Sequence, residues 1–217
     1  TCFIHTADWQ LGKPFSRVAD DAKRTRLQEQ RIAAIKRIGE VVRARNAAFV
    51  VVAGDVFDSN SPTNTTVSDA CDAIQSIGVP VYVIPGNHDH AGPGSVWSQP
   101  FFLRVSRDRS PNLRVLLDAT PVEEEGYVLF PCPLSRRQTS EDPCTWIRGH
   151  DFTGLDDRPR IVLAHGSTLN FRQDGDEEDG GRQANFIELD RLPLAEIDYL
   201  ALGDWHGMVQ AGDKAWY

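Results

Sequence analysis

Short apolar runs alternate with polar stretches along this chain, and each run predicts a β-strand. Phe3 to Ala7 predicts a buried first strand that ends at Asp8. The β-branched run from Phe49 to Ala53 predicts a central parallel strand, because strands that are covered on both faces are apolar throughout. Val79 to Ile84 predicts the next strand. Further apolar runs in the second half predict strands over 113–117, 125–130, 161–164 and 199–202.

Helical spacing of apolar residues follows the first two predicted strands. The segment from about Asp20 to Arg45 has one apolar face and predicts a long amphipathic helix, with Leu27, Ala34, Ile38, Val41 and Val42 on that face. Ser61 to Asn64 supplies the cap and first turn of a second helix, which is predicted to run to about Ile77 and to end at Gly78. Strands alternating with helices, followed by a strand-rich half, predict an α/β fold with helices on both faces of packed sheets.

The composition is that of a globular protein with a substantial core. The chain has 217 residues, of which 41% are hydrophobic and 25% are charged, and this excludes disordered and fibrous classes. The longest apolar stretch, Ala47 to Ala53, is far shorter than the ~20 residues that cross a bilayer. We therefore expect no membrane partner. The four cysteines lack CxxC spacing, which indicates free thiols in a reducing compartment, and no leader pattern precedes Phe3, so we expect a cytoplasmic protein.

The net charge of −8 bears on nucleic-acid binding. A protein that binds nucleic acid only by neutralising phosphates is normally basic. If this chain acts on nucleic acid, metal ions or a partner must therefore supply much of the positive field. Among its own side chains, the arginines at 104, 107, 109, 136 and 137 are candidates for following a phosphate backbone. Of these, Arg104 and Arg107 are the candidates for substrate binding.

Polar residues that bind metal ions well follow five of the predicted strands. These strand ends are Asp8-Trp9-Gln10, Gly54-Asp55-Val56-Phe57-Asp58, Gly86-Asn87-His88-Asp89, His165-Gly166 and Gly203-Asp204-Trp205-His206. Ligands of open α/β sheets bind outside the carboxyl ends of the strands, so the five clusters are expected to meet at one rim. Any one cluster could be an ordinary turn, but five in series favour a site. Asp, Asn and His together suit a pair of divalent ions, which at ~3.5 to 4 Å apart would activate a water for in-line displacement at phosphorus.

This series resembles the five motifs of the calcineurin-like metallophosphoesterases: D-x-H, GDxxD, GNH[DE], a lone His and GHxH. Within that superfamily the chain is most similar to the DNA-repair nuclease branch, the nuclease subunit of the bacterial SbcCD complex and its archaeal and eukaryotic relatives. The segments that carry this similarity are 4–12 (IHTADWQLG), 54–58 (GDVFD) and 201–207 (ALGDWHG). The resemblance extends over essentially the whole chain and is weakest over 106–160.

The resemblance implies a four-layer α/β/β/α sandwich of two packed mixed sheets flanked by helices. It implies a single metallophosphoesterase catalytic domain over residues 1–217. Nuclease subunits of this branch continue beyond the last motif into a capping domain and an ATPase-docking segment, and we expect both regions to be absent from this chain.

The resemblance also assigns roles to individual residues. The first metal position would be made by Asp8, Gln10, Asp55 and His206. The second metal position would be made by Asp55, Asn87, His165 and Asp204, with Asp55 bridging the two ions. His88 would contact the scissile phosphate and protonate or stabilise the leaving oxygen, and Asp89 would orient His88.

Two residues depart from the family pattern. Gln10 replaces a metal-binding His, and Asp204 replaces the first His of GHxH. The site exchanges two nitrogen ligands for oxygen, which favours two Mn²⁺ ions, with Mg²⁺ or Fe²⁺ as alternatives, over Zn²⁺. Whether Gln10 ligates a metal at all is left open by the sequence.

The leading hypothesis is an Mn²⁺-dependent hydrolase of DNA phosphodiester bonds, an exonuclease or endonuclease of repair. One alternative is a phosphodiesterase or phosphatase for a small nucleotide or a phosphoprotein. Another is an inactive metal-site scaffold that binds a partner ATPase. The resemblance implies DNA and, in the full-length context, a coiled-coil SMC-like ATPase as partners, and it is compatible with a homodimer.

Overall fold

The computed structural model describes residues 1–168 and 184–217, and two β-sheets form its centre. The first sheet has four parallel strands in the order β1-β2-β3-β4, with β1 over Phe3–Thr6, β2 over Phe49–Val52, β3 over Val81–Val83 and β4 over Leu113–Val115. The strands β1 to β3 are joined through helices, as the alternating pattern predicts. Because the strands are parallel, their carboxyl ends lie along one edge of the sheet.

The second sheet has six strands in the order β5-β6-β7-β8-β10-β9 and is mixed. Its strands are β5 (Val122–Glu124), β6 (Tyr127–Cys132), β7 (Arg160–His165), β8 (Tyr199–Gly203), β9 (Gln210–Gly212) and β10 (Ala215–Trp216). The single strand predicted over 125–130 is in fact the second arm of a hairpin. Glu124 pairs with Tyr127, so Glu125-Gly126 forms a two-residue turn between antiparallel strands.

In the described parts of the chain, four α-helices flank the sheets: α1 over Asp21–Arg45, α2 over Asn64–Gln75, α3 over Pro100–Arg109 and α4 over Thr145–Arg148. The first two match the predicted helices closely. The side chain of Asp20 caps α1 by accepting a 3.0 Å hydrogen bond from the amide of Lys23. The side chain of Thr63 caps α2 in the same way, from the amide of Thr66 at 3.1 Å. Among the described residues, no helix combines the length and the apolar character that crossing a membrane requires.

The described residues form three apolar cores, which separate four layers. The core between the sheets contains Phe49, Val51, Tyr82 and Ile84 of the first sheet with Leu129, Ile161, Leu163 and Ala201 of the second. On the outer face of the first sheet, Ile35 of α1, Ile74 of α2 and Phe102 of α3 pack near Val50 and Val52. On the outer face of the second sheet, Ile147 of α4 packs near Val162 and Leu200. The predicted sandwich of two packed sheets flanked by helices is confirmed. The first sheet was expected to be mixed, but its described strands are all parallel, and it is the second sheet that is mixed.

The two sheets meet closely where β8 ends. A Cβ atom on Gly203 would collide with the backbone carbonyl of Ala53, which follows β2, and with the ring of His165. Gly203→Ala is therefore expected to lower the free energy of unfolding by about 1 to 3 kcal/mol, because a backbone oxygen cannot move aside as a flexible side chain can. Urea denaturation measures the change.

Gly149→Ala is the matched control for this substitution. Gly149 is exposed at the end of α4, has an ordinary negative φ of −104°, and would place its Cβ atom in open space. Its free energy of unfolding should change by no more than about 0.5 kcal/mol. Equal stabilities of the two variants would show that the sheets do not need the close approach at Gly203.

Candidate metal centre

The polar residues after five strands meet at one rim, because β1, β2 and β3 end at one edge of the first sheet and β7 and β8 end beside it. One ligand atom from each of Asp8, Asp55 and His165 lies within 4.8 Å of the others. His165 also pairs in register with Gly203, which directly precedes Asp204. The structure thus brings together carboxylates and an imidazole from both sheets, at the position that the strand pattern predicts.

The backbone at this rim is strained. Asp8, Gln10, Asp55 and Asp204 all have positive φ angles, of 56°, 44°, 57° and 104°. Residues other than glycine rarely adopt this conformation, and it persists only where surrounding contacts impose it. The amide of Asp8 donates to the carbonyl of Gly54 at 3.1 Å, and the amide of Gln10 donates to the carbonyl of Asp55 at 2.8 Å. These bonds hold the loop after β1 against the loop after β2.

The second metal position contains ligand atoms that no protein group uses within the described parts of the chain. His165 is fully buried, and its Nδ1 lies 2.8 Å from the carbonyl of Ala53. That contact directs Nε2 toward Asp55 Oδ1 at 3.6 Å and Asp204 Oδ1 at 3.7 Å. Both His165 Nε2 and Asn87 Oδ1 are buried and lack a hydrogen-bond partner there. Because buried polar atoms are nearly always satisfied, this set fits a divalent cation.

The electrostatics of the rim also favour a cation. Burial raises the pKa of Asp8, and the neighbouring Asp55 adds to the effect, while His165 opposes it. Burial of His165 acts to lower its pKa, but the carboxylates of Asp55, Asp8 and Asp204 outweigh it, so the pKa is raised overall. Carboxylates that crowd a buried imidazole in this way stabilise positive charge at the centre, whether proton or metal.

At the first metal position the candidate ligands are already hydrogen-bonded. Lys13 Nζ donates to Gln10 Oε1 at 2.6 Å, and Gln10 Nε2 lies 3.2 Å from His206 Nε2. The amide of Asp204 donates to both carboxylate oxygens of Asp8, at 3.2 and 3.1 Å. Gln10 is only 3% exposed, so its amide is fixed among these neighbours.

His88 lies beside the shared carboxylate. Its backbone amide donates to Asp55 Oδ1 at 2.9 Å, and its ring Nε2 lies 4.0 Å from Asp55 Oδ2. The ring Nδ1 lies 2.8 Å from the carbonyl of Asp58 and 4.0 Å from the Asp58 carboxylate. If Nδ1 donates to that carbonyl, Nε2 is the ring atom directed to the rim. The ring is partly exposed and can therefore meet a substrate.

Asp89 does not orient His88, and that expectation is wrong. The Asp89 carboxylate is fully buried and accepts hydrogen bonds from the amides of Gly86 at 2.8 Å and Phe57 at 3.0 Å. Burial, with a further contribution from Asp55, raises its pKa to about 7. Asp89 thus ties the loop after β3 to the loop after β2, and it is Asp58 that contacts the His88 ring.

Arg104 and Arg107 lie on α3, in the helical layer outside the first sheet. The guanidinium of Arg104 stacks on the ring of Phe101, and Arg107 pairs with Asp108. Within the described structure, none of the contacts of either arginine reaches the metal centre. The structure gives no support for their predicted role in substrate binding.

Two other basic residues, Lys13 and Arg31, do lie at the centre, and sequence reasoning missed both. Lys13 reaches it through the hydrogen bond to Gln10. Arg31 donates to the carbonyl of Trp9 at 2.6 Å and lines a cavity of about 660 Å³ that Asp8 and Gln10 also line. Positive charge is therefore present beside the candidate ligands of the first metal position.

A sequence signal for Arg31 was present. Arg31 precedes the buried Ile35 by four residues and so lies on the inward face of α1. Burial lowers the pKa of Arg31, although the carboxylates of Asp58 and Asp8 partly offset this. An arginine on the apolar side of a helix indicates a polar partner beneath it, and here that partner is the rim.

Comparison with known proteins gives a family and several relatives. The family model described as calcineurin-like phosphoesterase matches residues 3–208. The chain is 28% identical to the D subunit of the nuclease SbcCD of Escherichia coli (strain K12), over 94% of this chain and 55% of that protein. It is 35% identical to the DNA double-strand break repair protein Mre11 of Archaeoglobus fulgidus, over 40% of this chain and 19% of that protein.

A third relative is the uncharacterized metallophosphoesterase YhaO of Bacillus subtilis (strain 168), 30% identical over 42% of this chain and 23% of that protein. The chain therefore spans about half, or less, of the length of these curated relatives. Among solved structures, TT1561 of Thermus thermophilus superposes with a TM-score of 0.56 at 12% identity, over 99% of this chain and 86% of that one. At that identity the likeness concerns the fold alone.

Proposed function

We propose that this chain, which belongs to the calcineurin-like phosphoesterase family, is a metal-dependent hydrolase of DNA phosphodiester bonds. The observation that carries the proposal is the second metal position. There, within the described residues, buried His165 Nε2 lacks a hydrogen-bond partner and lies beside the carboxylates of Asp55 and Asp204. The buried Oδ1 of Asn87 also lacks a partner, in the loop whose next amide donates to Asp55. When bound there, a divalent ion would supply charge stabilisation for a phosphoryl group and lower the pKa of a water.

Protein groups around this position supply the remaining functions. The imidazole of His88 lies at the rim beside Asp55. There it would protonate or stabilise the leaving oxygen of a phosphodiester. Arg31 and Lys13 bring positive charge to a protein that is acidic overall, at the place where a phosphate would enter. Asp89 holds the loop that carries His88 in register with the loop that carries Asp55.

DNA is the proposed substrate because of the relatives. The similarity to the D subunit of the E. coli nuclease SbcCD extends over 94% of this chain. The oxygen-rich ligand set at the second position favours Mn²⁺ or Mg²⁺ over Zn²⁺. We further propose that the protein acts in the cytoplasm, with an SMC-like ATPase as its partner in a longer context.

The test is cleavage of linear duplex DNA, closed circular DNA and a bis-aryl phosphodiester, each with Mn²⁺ and with EDTA. Cleavage of DNA that depends on Mn²⁺ is expected, and loss of the closed circle would identify an endonuclease. Cleavage of the aryl substrate without DNA cleavage would instead indicate a small-molecule phosphodiesterase. Absence of both activities in protein that binds Mn²⁺ would favour a scaffold and contradict the proposal.

A further inference from the structure

We propose that the ammonium group of Lys13, rather than a second metal ion, is the cation at the first metal position, so that the centre binds one divalent ion. This inference deepens the proposed function and rests on it for the role of the centre in phosphodiester hydrolysis. It is carried by three contacts that already engage the candidate ligands of the first position.

The first two contacts form a chain of hydrogen bonds from Lys13 through Gln10 to His206. Lys13 Nζ has only N–H donors, so the 2.6 Å contact makes Gln10 Oε1 the acceptor. The amide nitrogen of Gln10 is then the donor toward His206 Nε2 at 3.2 Å, and the ring nitrogen accepts with its lone pair. A metal needs those same lone pairs. His206 Nε2 has a single lone pair and cannot bind an ion without breaking this hydrogen bond, and an ion on Gln10 Oε1 would share that oxygen with the ammonium of Lys13.

The third contact involves Asp8, whose carboxylate also lies within 4.8 Å of ligand atoms of Asp55 and His165. Both oxygens of its carboxylate face the amide of Asp204, at 3.2 and 3.1 Å. Asp55 then remains as the carboxylate common to both positions, and it is directed at His165 and at the amide of His88. Asp8 keeps lone pairs that can reach an ion held by Asp55 and His165, so the protein's own hydrogen bonds occupy Gln10 and His206, the two ligands that only the first position would use.

The second position shows the opposite arrangement. There the ligand atoms His165 Nε2 and Asn87 Oδ1 are buried, and within the described residues no hydrogen-bond partner satisfies them. The other ring nitrogen of His165, Nδ1, contacts the carbonyl of Ala53, as the second nitrogen of a metal-binding histidine usually contacts a backbone carbonyl or a carboxylate. One chain thus contains one position built for an ion and one closed by its own side chains.

Charge leads to the same conclusion. Lys13 Nζ lies 4.0 Å from the carboxylate of Asp58, and Arg31 lies close enough to Asp58 and Asp8 for both to act on its pKa. The acidic groups on this side of the rim are therefore already balanced by two protein cations. A divalent ion placed against Gln10 would be repelled by the ammonium that shares its oxygen.

Lys13 also remains available to a substrate. Its side chain is 34% exposed, and Gln10 takes one of the three N–H donors of the ammonium. A phosphodiester that binds the ion at the second position would present its other oxygens toward the first. Lys13 is thus placed to contact a non-bridging oxygen of the phosphate. In binuclear centres a second metal ion makes this contact.

The test counts bound ions. Wild-type protein, Lys13→Ala, Lys13→Arg and the double variant Gln10→His with Lys13→Ala are equilibrated with excess Mn²⁺ and separated from free metal. Bound Mn²⁺ is measured by mass spectrometry, and electron paramagnetic resonance distinguishes isolated ions from coupled pairs. Lys36→Ala, which removes an exposed lysine from α1, is the control, and a circular dichroism spectrum confirms that each variant is folded.

We expect one uncoupled ion per chain in wild type, Lys13→Arg and Lys36→Ala. We expect a second ion, with a coupled spectrum, in the double variant, and a weaker second ion in Lys13→Ala. Two coupled ions in wild type would overturn the inference. A single ion in the double variant would also overturn it, because Lys13 would not then be what excludes the second metal.

DNA cleavage by the same samples separates this inference from the proposed function. Lys13→Ala is expected to lower the rate at limiting Mn²⁺ by about 10²-fold, as removal of one preorganised donor to a phosphoryl oxygen does. One bound ion without DNA cleavage would support the inference that the centre binds a single ion, but it would refute the proposed function. Two bound ions with DNA cleavage would refute the role of Lys13 and leave the proposed function standing.

Discussion

Asp55→Asn is expected to abolish metal binding at the centre and, with it, the hydrolysis of every phosphodiester. Asp55 is 1% exposed, and its oxygens lie 3.6 Å from His165 Nε2 and 4.0 Å from His88 Nε2. The amide removes the negative charge but keeps the shape and one acceptor for the amide of His88. Since a metal contributes several kcal/mol of charge stabilisation, the rate on DNA should fall by at least roughly 10³-fold.

Thermal unfolding with and without Mn²⁺ shows whether Asp55 acts through the metal. An ion that binds only the folded state at 100 times its Kd stabilises a protein by about 2.7 kcal/mol. Wild type should gain such a shift in Tm and Asp55→Asn should not, whereas Asp69→Asn on the exposed face of α2 should behave as wild type. An Asp55→Asn protein that still binds Mn²⁺ with unchanged affinity would contradict the assignment of Asp55 as a ligand.

That the candidate ligands meet at one rim could be predicted, because the apolar runs in the sequence show where each strand ends. Val50, Val51 and Val52 mark a buried parallel strand in the sequence alone, and Asp55 follows it. Once several strands are parallel, their carboxyl ends must share an edge, whatever the intervening loops do. The same reasoning predicts His165 at the end of β7 and Asp204 after β8, and the register of those two strands agrees.

The contacts around the centre could not be predicted, because they depend on side-chain directions across long sequence separations. Asp89 adjoins His88 in the sequence, yet its carboxylate turns away to the amide of Phe57, and the ring of His88 contacts Asp58 instead. The hydrogen bond from Lys13 to Gln10 is local in sequence but follows from the left-handed backbone at Gln10, which no periodicity reveals. Motif reasoning identifies which residues meet, and hydrogen-bond geometry decides what each can still bind.

His88→Ala is expected to slow the hydrolysis of DNA by about 10² to 10⁴-fold and that of an aryl phosphodiester far less. An alkoxide leaving group from DNA needs a proton in the transition state, whereas an aryl oxide leaves unaided. The ring is placed for this role because Nδ1 is held by the carbonyl of Asp58 and Nε2 lies on the side of Asp55. The measurement compares the rates of wild type and His88→Ala on both substrates, with the bound Mn²⁺ determined in each sample.

Two further variants separate proton transfer from other roles of His88. His88→Asn keeps a donor near the position of Nδ1 but cannot deliver a proton, so it should show the same dependence on leaving group as His88→Ala. His90→Ala removes a ring whose Nδ1 accepts a local bond from the amide of Gly92, and both rates should stay unchanged. Equal losses on the two substrates with metal content intact would mean that His88 stabilises phosphoryl charge. Loss of bound metal in His88→Ala would make His88 a ligand, and the loop after β3 would then supply two ligands to the centre, because Asn87 precedes it.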